Sequence, residues 1–257
     1  MAFKGKVAMV TGGGSGMGQA AAWRLADTGA EVVIVDINEE GIKKTAANRP
    51  NIHPIVCDTT NFERIQEVVA ETEQKYGPID RLMHAAGVMP DGAMLQEDLA
   101  KQKKVFDINF WSTVYFTKTI LNKMVERDSG EFVVWGSSAG YYPAPNMSTY
   151  CSTKAALNMF MEISAWENRH SKVKIMVVCP GIVKTPLLKQ AANMKFTSEQ
   201  GSKNGATPDQ IVLNIEKSLE KDEIICIPDK GAKISLFLRR YFPKIAWKAV
   251  LKAEGMT

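Results

Sequence analysis

The sequence has few of the residues that hold metal ions or form disulfides. Its four cysteines, Cys57, Cys151, Cys179 and Cys226, are widely separated and include no Cys-x-x-Cys pair. A disulfide framework is therefore not expected, and reduced thiols in a cytoplasmic protein are the simplest interpretation. The three histidines show no ligand spacing, so no metal site is predicted.

Long apolar runs are missing as well. No stretch of about eighteen consecutive apolar residues occurs, so no membrane-spanning helix is expected. Residues 1–6 lead directly into the first apolar segment, and we expect no signal peptide. The 257 residues suffice for one large domain with a sizeable core.

The net charge of +4 is concentrated at one end of the chain. Residues 230–257 carry +6, so residues 1–229 carry −2. The body lacks the charge of a nucleic-acid-binding protein, and no nucleic-acid partner is predicted. The cations of the tail are Lys230, Lys233, Arg239, Arg240, Lys244, Lys248 and Lys252.

Short apolar segments alternate with stretches of helical spacing from residue 7 to residue 227. The predicted strands include residues 31–36, 131–135 and 223–227, and the predicted helices include one long helix at about 95–127 and another at 208–220. This alternation is typical of parallel βαβ units with right-handed crossovers. We predict an α/β fold, a Rossmann-type doubly wound parallel sheet of about seven strands with helices on both faces, in a single domain. Its catalytic part is expected to span residues 1–229, with residues 230–257 as an extension packed on the same domain.

A glycine-rich turn at residues 11–18 lies between the first apolar segment and a run of helix formers. This order is what a loop holding a dinucleotide pyrophosphate requires, because glycine admits the phosphates and the helix N–H groups face their charge. Asp36 ends the second strand, where a carboxylate can bind both adenosine ribose hydroxyls and repel a 2′-phosphate. Since no cation occurs at residues 13–15 and Ile37 follows Asp36, NAD is favoured over NADP.

Tyr150 and Lys154 are four residues apart in a predicted helix and therefore share one face. A cation near a tyrosine favours the phenolate, so the pair can serve as an acid/base on an alcohol or ketone. Ser137 follows the fifth predicted strand at its carboxyl end, where ligands bind in such sheets. Its hydroxyl can hold a substrate oxygen, and Ser138 competes for that role.

Taken together, these motifs resemble the short-chain dehydrogenase/reductase family. The matching motifs are Thr11-Gly12-x3-Gly16-x-Gly18, Asp58 after the third strand, Ala85-Ala86-Gly87, Asn109, Ser137, Tyr150-x3-Lys154 and Pro180-Gly181-Ile182-Val183-Lys184-Thr185. The resemblance covers residues 5 to about 185. It implies hydride transfer between an alcohol carbon and a nicotinamide, and assembly as a homodimer or homotetramer.

The resemblance also assigns roles to single residues. It makes Tyr150 the acid/base, with Lys154 lowering its pKa and holding the nicotinamide ribose. It makes Ser137, in preference to Ser138, the residue that orients the substrate oxygen, and it has Asn109 position a water beside Lys154. The cofactor residues it implies are Thr11, Gly12, Ser15, Gly16, Met17, Gly18, Asp36, Ile37, Cys57, Asp58, Ala85, Ala86, Gly87, Tyr150, Lys154, Pro180, Gly181, Val183 and Thr185.

Two features depart from the family pattern. His84 stands where an asparagine is usual, and we interpret it as a buried, hydrogen-bonded substitute and not as a base. The basic tail replaces the strand and Asp-Gly-Gly turn with which many relatives close. Pro243 divides this tail into two short helical pieces. Packing on the body or on a partner subunit is the first interpretation, and peripheral contact with an anionic membrane is the second.

The residues expected near the substrate form an apolar set without a cation to bind a carboxylate or phosphate. They are Met89, Ser137, Tyr142, Met147, Leu187 and Leu188, with Tyr141, Met194 and Phe196 as further candidates around a loop at 186–206. A hydrophobic secondary alcohol or ketone, such as a terpenoid, steroid, retinoid or aliphatic, is the predicted substrate. An acyl-group ketoreductase of the same family and a non-catalytic dinucleotide-binding sensor or scaffold stay as alternatives.

Overall fold

The computed structural model describes residues 3–142, 144–191, 193–194 and 205–256. Phe196 and most of the predicted substrate loop, residues 192 and 195–204, lie outside the described residues. The described chain forms one parallel sheet in the order β3-β2-β1-β4-β5-β6-β7. The strands are β1 Val7–Thr11, β2 Glu31–Asp36, β3 Ile52–Val56, β4 Arg81–His84, β5 Glu131–Trp135, β6 Lys174–Val178 and β7 Ile225–Cys226.

Helices connect these strands and cover both faces of the sheet. They are α1 Gly16–Ala26, α2 Glu39–Ala46, α3 Phe62–Tyr76, α4 Leu99–Phe106, α5 Ser112–Phe116, α6 Asn122–Glu126, α7 Ser148–Glu167, α8 Pro208–Glu220, α9 Lys230–Tyr241 and α10 Pro243–Ala253. The predicted doubly wound, seven-stranded, single-domain fold is confirmed. The stretch predicted as one long helix at about 95–127 begins at residue 99, and two π-helical turns, Asp107–Trp111 and Thr117–Leu121, link α4, α5 and α6.

Two hydrophobic layers result from the alternation of side chains along each strand. In β5, Val133 faces the layer beneath α1, α2 and α8, whereas Phe132 and Val134 face the layer beneath α3, α5 and α7. Because both faces are covered, β1 is buried at every position, and the middle residues of β2, β5 and β6 are all apolar. The carboxyl ends of these strands are left to form a cleft.

The opposite end of the sheet holds a buried cluster of charges. Arg81 opens β4 directly beside Glu131, which opens β5, and its Nε donates to the Glu131 carboxylate at 2.5 Å. Its Nη1 donates at 2.5 Å to Glu216 of α8, and the ring centroid of Phe3 lies 4.6 Å from the guanidinium carbon. Arg81 is only 1% exposed, so this cluster joins β4, β5 and α8 away from the cleft.

The tail folds into the two helices that Pro243 separates. Asp229 caps α9 by accepting the Ala232 N–H at 2.7 Å, and its other oxygen accepts the Gly181 N–H at 2.8 Å. One carboxylate therefore fixes the start of the tail to the loop after β6. Among the described residues, no helix combines the length and apolar character that crossing a membrane would require.

Candidate active site

The glycine turn is held so close to its neighbours that side chains cannot replace its glycines. Gly12 has a φ of +64°, and a Cβ there would lie 2.9 Å from the backbone of Ala85 and Ala86. A Cβ on Gly18 would lie 2.2 Å from the Gly12 carbonyl oxygen. The absence of a side chain at Gly18 therefore lets α1 pack directly against the end of β1. The first N–H groups of α1 are thereby presented beside an open backbone surface, the arrangement that binds phosphate groups.

Asp36 lies at the carboxyl end of β2, next to this turn. Its two oxygens accept the backbone N–H groups of Gly14 and Asn38, each at 3.0 Å. These bonds fix the carboxylate at the point where the ribose of a dinucleotide bound on the turn would lie. Ile37 beside it is 71% exposed. Asp58, after β3, is exposed, and Cys57 before it is buried.

Tyr150 projects from α7 into the cleft and is buried there, together with Ser137 from the end of β5. Burial raises the pKa of Tyr150 to about 12, and a hydrogen bond with Ser137 opposes this rise. The phenol is therefore protonated at neutral pH. Lys154, one helical turn further along α7, donates its Nζ to the Trp135 carbonyl at 2.8 Å, and its predicted effect of lowering the Tyr150 pKa stays a prediction.

Lys154 is itself 5% exposed, and burial lowers its pKa to about 8. Gly87 packs closely against Asn109, since a Cβ there would lie 3.2 Å from Asn109 Oδ1, whereas its distance of 3.8 Å from Lys154 Nζ would be an ordinary contact. Asn109 lies in the first π-helical turn and exchanges two hydrogen bonds of 2.9 Å with the backbone of Val88. Its amide also donates to Thr153 Oγ1 at 3.1 Å, which ties this turn to α7 between Tyr150 and Lys154.

Asn158 was missed by the sequence reasoning, although it follows Lys154 by four residues on the same face of α7. Its fully buried amide accepts the Ser137 N–H at 3.4 Å and donates to the Ser137 carbonyl at 2.9 Å. A Cβ on Gly136 would lie 2.1 Å from Asn158 Oδ1, and one on Gly140 2.5 Å from its Nδ2. Asn158 therefore fixes the backbone that carries the Ser137 hydroxyl.

His84 connects the glycine turn to the first residue of α5. Thr11 Oγ1 accepts the N–H groups of Ala85 and Ala86, each at 3.0 Å, so its own proton goes to His84 Nδ1 at 2.8 Å. The ring is then neutral with its proton on Nε2, which donates to Ser112 Oγ at 3.1 Å. Burial, with a contribution from the charge of Lys154, lowers the His84 pKa to about 3.

This network predicts an acid-sensitive fold. Folding lowers the pKa of His84 from its usual value of about 6.5 to about 3. Between these two pH values the imidazole is protonated in the unfolded chain and neutral in the folded chain. The free energy of unfolding therefore decreases as the pH falls from about 6.5 towards 3. Relative to His84→Asn, the wild type should lose up to about 1.4 kcal/mol per pH unit in this window. Urea unfolding at several pH values measures this. His170→Asn, at an exposed histidine, is the control, and parallel curves for wild type and His84→Asn would contradict the assignment.

A cleft of about 810 Å³ extends from the glycine turn past Tyr150. The predicted residues that line it are Met17, Ala85, Gly87, Met89, Ser137, Tyr142, Met147, Tyr150, Lys154, Pro180, Gly181, Val183, Thr185, Leu187 and Leu188, together with Met194. Asn109 does not line the cleft and is hydrogen-bonded to the backbone of Val88, which does. Ser15 and Gly16 line a second cavity of about 270 Å³. The prediction that Tyr141 lies near the substrate is wrong, since its side chain packs against the core layer beneath α7 and does not line the cleft.

The tail supplies a wall of this cleft that the sequence did not predict in detail. Ala232 and Ser235 of α9 line it, and so do Ala249, Val250 and Ala253 of α10. The alternation of small and apolar residues on one side of each helix is the signal that could have shown this. The lining combines the apolar cluster around Met89, Met147 and Met194 with few ionisable groups apart from Lys154, Asp229 and Glu254.

Comparison with known proteins agrees with this geometry. A family model described as short chain dehydrogenase matches residues 6–195. An 11-beta-hydroxysteroid dehydrogenase-like 6 protein of Arabidopsis thaliana is 30% identical over 89% of the chain, which spans 64% of that relative's length. A 2,3-dihydro-2,3-dihydroxybenzoate dehydrogenase of Bacillus subtilis is 30% identical over 72% of each chain. A crystal structure from Burkholderia phymatum in complex with NAD superposes with a TM-score of 0.87 at 20% identity, over 95% of this chain and 96% of that one.

Proposed function

Since the chain belongs to the short-chain dehydrogenase family, and is an oxidoreductase of that family, we propose that it transfers a hydride between NAD(H) and a hydrophobic secondary alcohol or ketone. The observation that carries this proposal is the convergence of Tyr150, Ser137 and Lys154 in one apolar cleft beside the glycine turn. A non-catalytic sensor would need no buried acid/base pair.

The residues around the turn fit a nicotinamide dinucleotide. Gly12 and Gly18 keep open a backbone surface that a Cβ would fill, and Asp36 fixes a carboxylate beside it. When bound, the nicotinamide ring supplies the hydride acceptor or donor. Asp36 would accept hydrogen bonds from the ribose hydroxyls and repel a 2′-phosphate, which supports NAD.

The side chains in the cleft divide the proton chemistry among them. Tyr150, protonated at neutral pH, donates its proton to a ketone oxygen or, after losing it, takes one from an alcohol. Ser137 holds the same oxygen by a hydrogen bond, and Asn158 keeps its backbone in place. Lys154, fixed by the Trp135 carbonyl, places a positive charge beside the site.

The side chains that line the cleft support this substrate class. The relatives do not narrow it, because the compounds in the names of the two relatives above, a hydroxysteroid and a dihydroxybenzoate derivative, differ widely in polarity. Met89, Met147 and Met194 pack together with Leu187 and Leu188 over the acid/base pair. The ammonium of Lys154 is engaged with a backbone carbonyl, so the described lining offers no arginine or second lysine to an anionic substrate. An apolar alcohol or ketone fits this surface.

The proposal is tested by following absorbance of NADH with a panel of apolar secondary alcohols and, in reverse, the matching ketones. Turnover that depends on NAD and increases with apolar bulk is expected. If NADH binds tightly but no member of the panel reacts in either direction, the protein is a dinucleotide-binding module and the proposal is overturned. Turnover of carrier-linked acyl groups with NADPH alone would favour the acyl ketoreductase.

Asp36→Ala should lower the preference for NAD. Loss of a charged hydrogen-bond acceptor costs about 1.5–3 kcal/mol, so kcat/KM with NAD should fall about tenfold or more, while kcat/KM with NADP should rise. The ratio of the two kcat/KM values measures this. Glu39→Ala removes an exposed carboxylate nearby and is the control, expected to leave the ratio unchanged. An unchanged ratio in Asp36→Ala would refute the role of Asp36.

Assembly and location complete the proposal. The outer faces of the helices around Asn109 and Tyr150 expose several large apolar side chains, which supports a homodimer or homotetramer. They are Trp111, Met159, Ile163 and Trp166. The four cysteines are free thiols, which supports a cytoplasmic location.

A further inference from the structure

The outer face of α9 combines cations with large apolar side chains. Lys233, Ile234, Phe237, Arg240 and Tyr241 follow one another at spacings of one, three, three and one residues, so they form a single stripe along the helix. All five are exposed. Phe237 and Tyr241 lie with their ring centroids 4.9 Å apart, so the stripe carries a surface aromatic pair.

The stripe continues onto α10 and covers the corner at Pro243. We call the whole surface the tail face. It consists of Lys233, Ile234, Phe237, Arg240, Tyr241, Phe242, Lys244, Ile245, Trp247 and Lys248. Its six apolar and aromatic members are each at least 41% exposed. Such a cluster is larger than the scattered apolar residues of an ordinary surface and indicates contact with something else.

The cations of the tail face are available for binding. In the part of the chain that the structure describes, Lys233, Arg240, Lys244 and Lys248 take part in no ion pair. The guanidinium carbon of Arg240 lies 5.9 Å from the ring centroid of Tyr241. The whole segment from residue 230 carries +6, so the surface that binds here is expected to be negative.

The other side of the same helices lines the cleft. Ala249 and Ala253 of α10 are exposed and also belong to the cleft wall, so they lie at its mouth. They are adjacent in sequence to Lys248 and Lys252, which are exposed as well. The mouth of the cleft and the tail face are therefore neighbours on one pair of helices.

We propose that the tail face binds the surface of an anionic phospholipid bilayer and places the mouth of the cleft against it. Interleaved cations and aromatic or aliphatic side chains on amphipathic helices match both the headgroups and the upper acyl region of such a surface. A second copy of the chain fits less well, because a two-fold contact would bring this positive face against itself. Entry of an apolar substrate from the bilayer rests on the proposed function, whereas binding to lipid does not.

Vesicle flotation with the full chain, without cofactor or substrate, tests the proposal. The protein should float with phosphatidylserine-containing vesicles at low salt, stay behind with pure phosphatidylcholine, and be released by high salt. Each cation near an anionic surface contributes about a fivefold gain in binding, so Lys244→Glu/Lys248→Glu should weaken partitioning about thirtyfold or more. Lys103→Glu/Lys104→Glu makes the same charge change on the exposed side of α4 and should float like wild type.

A second pair of variants separates the apolar contribution. Phe237→Ser/Ile245→Ser leaves the charge unchanged and should weaken flotation about tenfold or more. Absence of flotation on anionic vesicles, equal flotation on neutral ones, or equal losses in the α4 control would each overturn the proposal. So would a fall in sedimentation mass in the tail variants without any lipid binding in wild type, since the tail face would then be a contact between subunits.

Discussion

Replacing Tyr150 by phenylalanine should lower kcat about a thousandfold, because a positioned acid/base contributes about 10²–10⁴ to such a reaction. The change removes one hydroxyl from a buried ring and leaves the packing in the cleft intact. Affinity for NADH, followed by its fluorescence, should therefore change little. Turnover of any alcohol that wild type oxidises measures the loss.

Tyr115→Phe provides the matched control for this variant. It removes the hydroxyl of a half-buried tyrosine on α5 that packs against the core layer and does not line the cleft. Its kcat should stay within about twofold of wild type, because a hydroxyl outside the site takes no part in the proton transfer. Because the Tyr150 pKa is raised to about 12, alcohol oxidation by wild type should also accelerate as pH rises above neutral. Equal turnover in Tyr150→Phe and wild type would exclude Tyr150 as the acid/base.

Arg81→Met should destabilise the fold by about 3–5 kcal/mol, the usual cost of removing one partner from a buried ion pair. The variant leaves the Glu216 carboxylate, which belongs to a residue only 7% exposed, without its cation, and it also frees Glu131. The free energy of unfolding from denaturant titration measures this cost. Activity of the protein that stays folded should be unchanged, since the cluster lies at the end of the sheet away from the cleft.

Arg49→Met is the surface counterpart. Arg49 forms a 2.5 Å ion pair with Asp27 and lies 5.8 Å from the ring centroid of Trp23, so it makes the same kinds of contact as Arg81 where water reaches them. Its loss should cost less than about 1 kcal/mol. Combining Arg81→Met with Glu131→Gln and Glu216→Leu should restore much of the lost stability. If Arg81→Met and Arg49→Met cost the same, burial does not govern the strength of this cluster.

The sequence predicted the sheet well because its strands are marked by several signals at once. The predicted bounds of β2, β5 and α8 agree with the structure. The structure adds that Thr207 caps α8 ahead of Pro208. The edge strand β7 was predicted over residues 223–227 and is only Ile225–Cys226, since pairing with β6 decides its length and pairing is not local. The π-helical turns were not predicted because each adds one residue to an otherwise ordinary helical pattern.

The candidate site could be predicted where the residue type and its local spacing are enough to indicate a role. Tyr150 and Lys154 show their relation by their spacing, together with Ser137 thirteen residues before Tyr150. The tautomer of His84 and the role of Asn158 depend on partners that are 73 and 21 residues away, Thr11 and Ser137. The burial that raises the pKa of Tyr150 depends on the whole fold, and no local pattern in the sequence reports it.

The side of the cleft that α9 and α10 form is far along the chain from the glycine turn and Asp36, which lie on the side proposed to bind the cofactor. The match to the family model ends at residue 195, whereas the tail helices begin at residue 230. Changes in Ser235, Ala249 or Ala253 alter the far side of the cleft without touching the glycine turn or Asp36. On the proposed function, changes in this segment are therefore expected to alter which substrate enters the cleft and to leave the choice of cofactor unchanged.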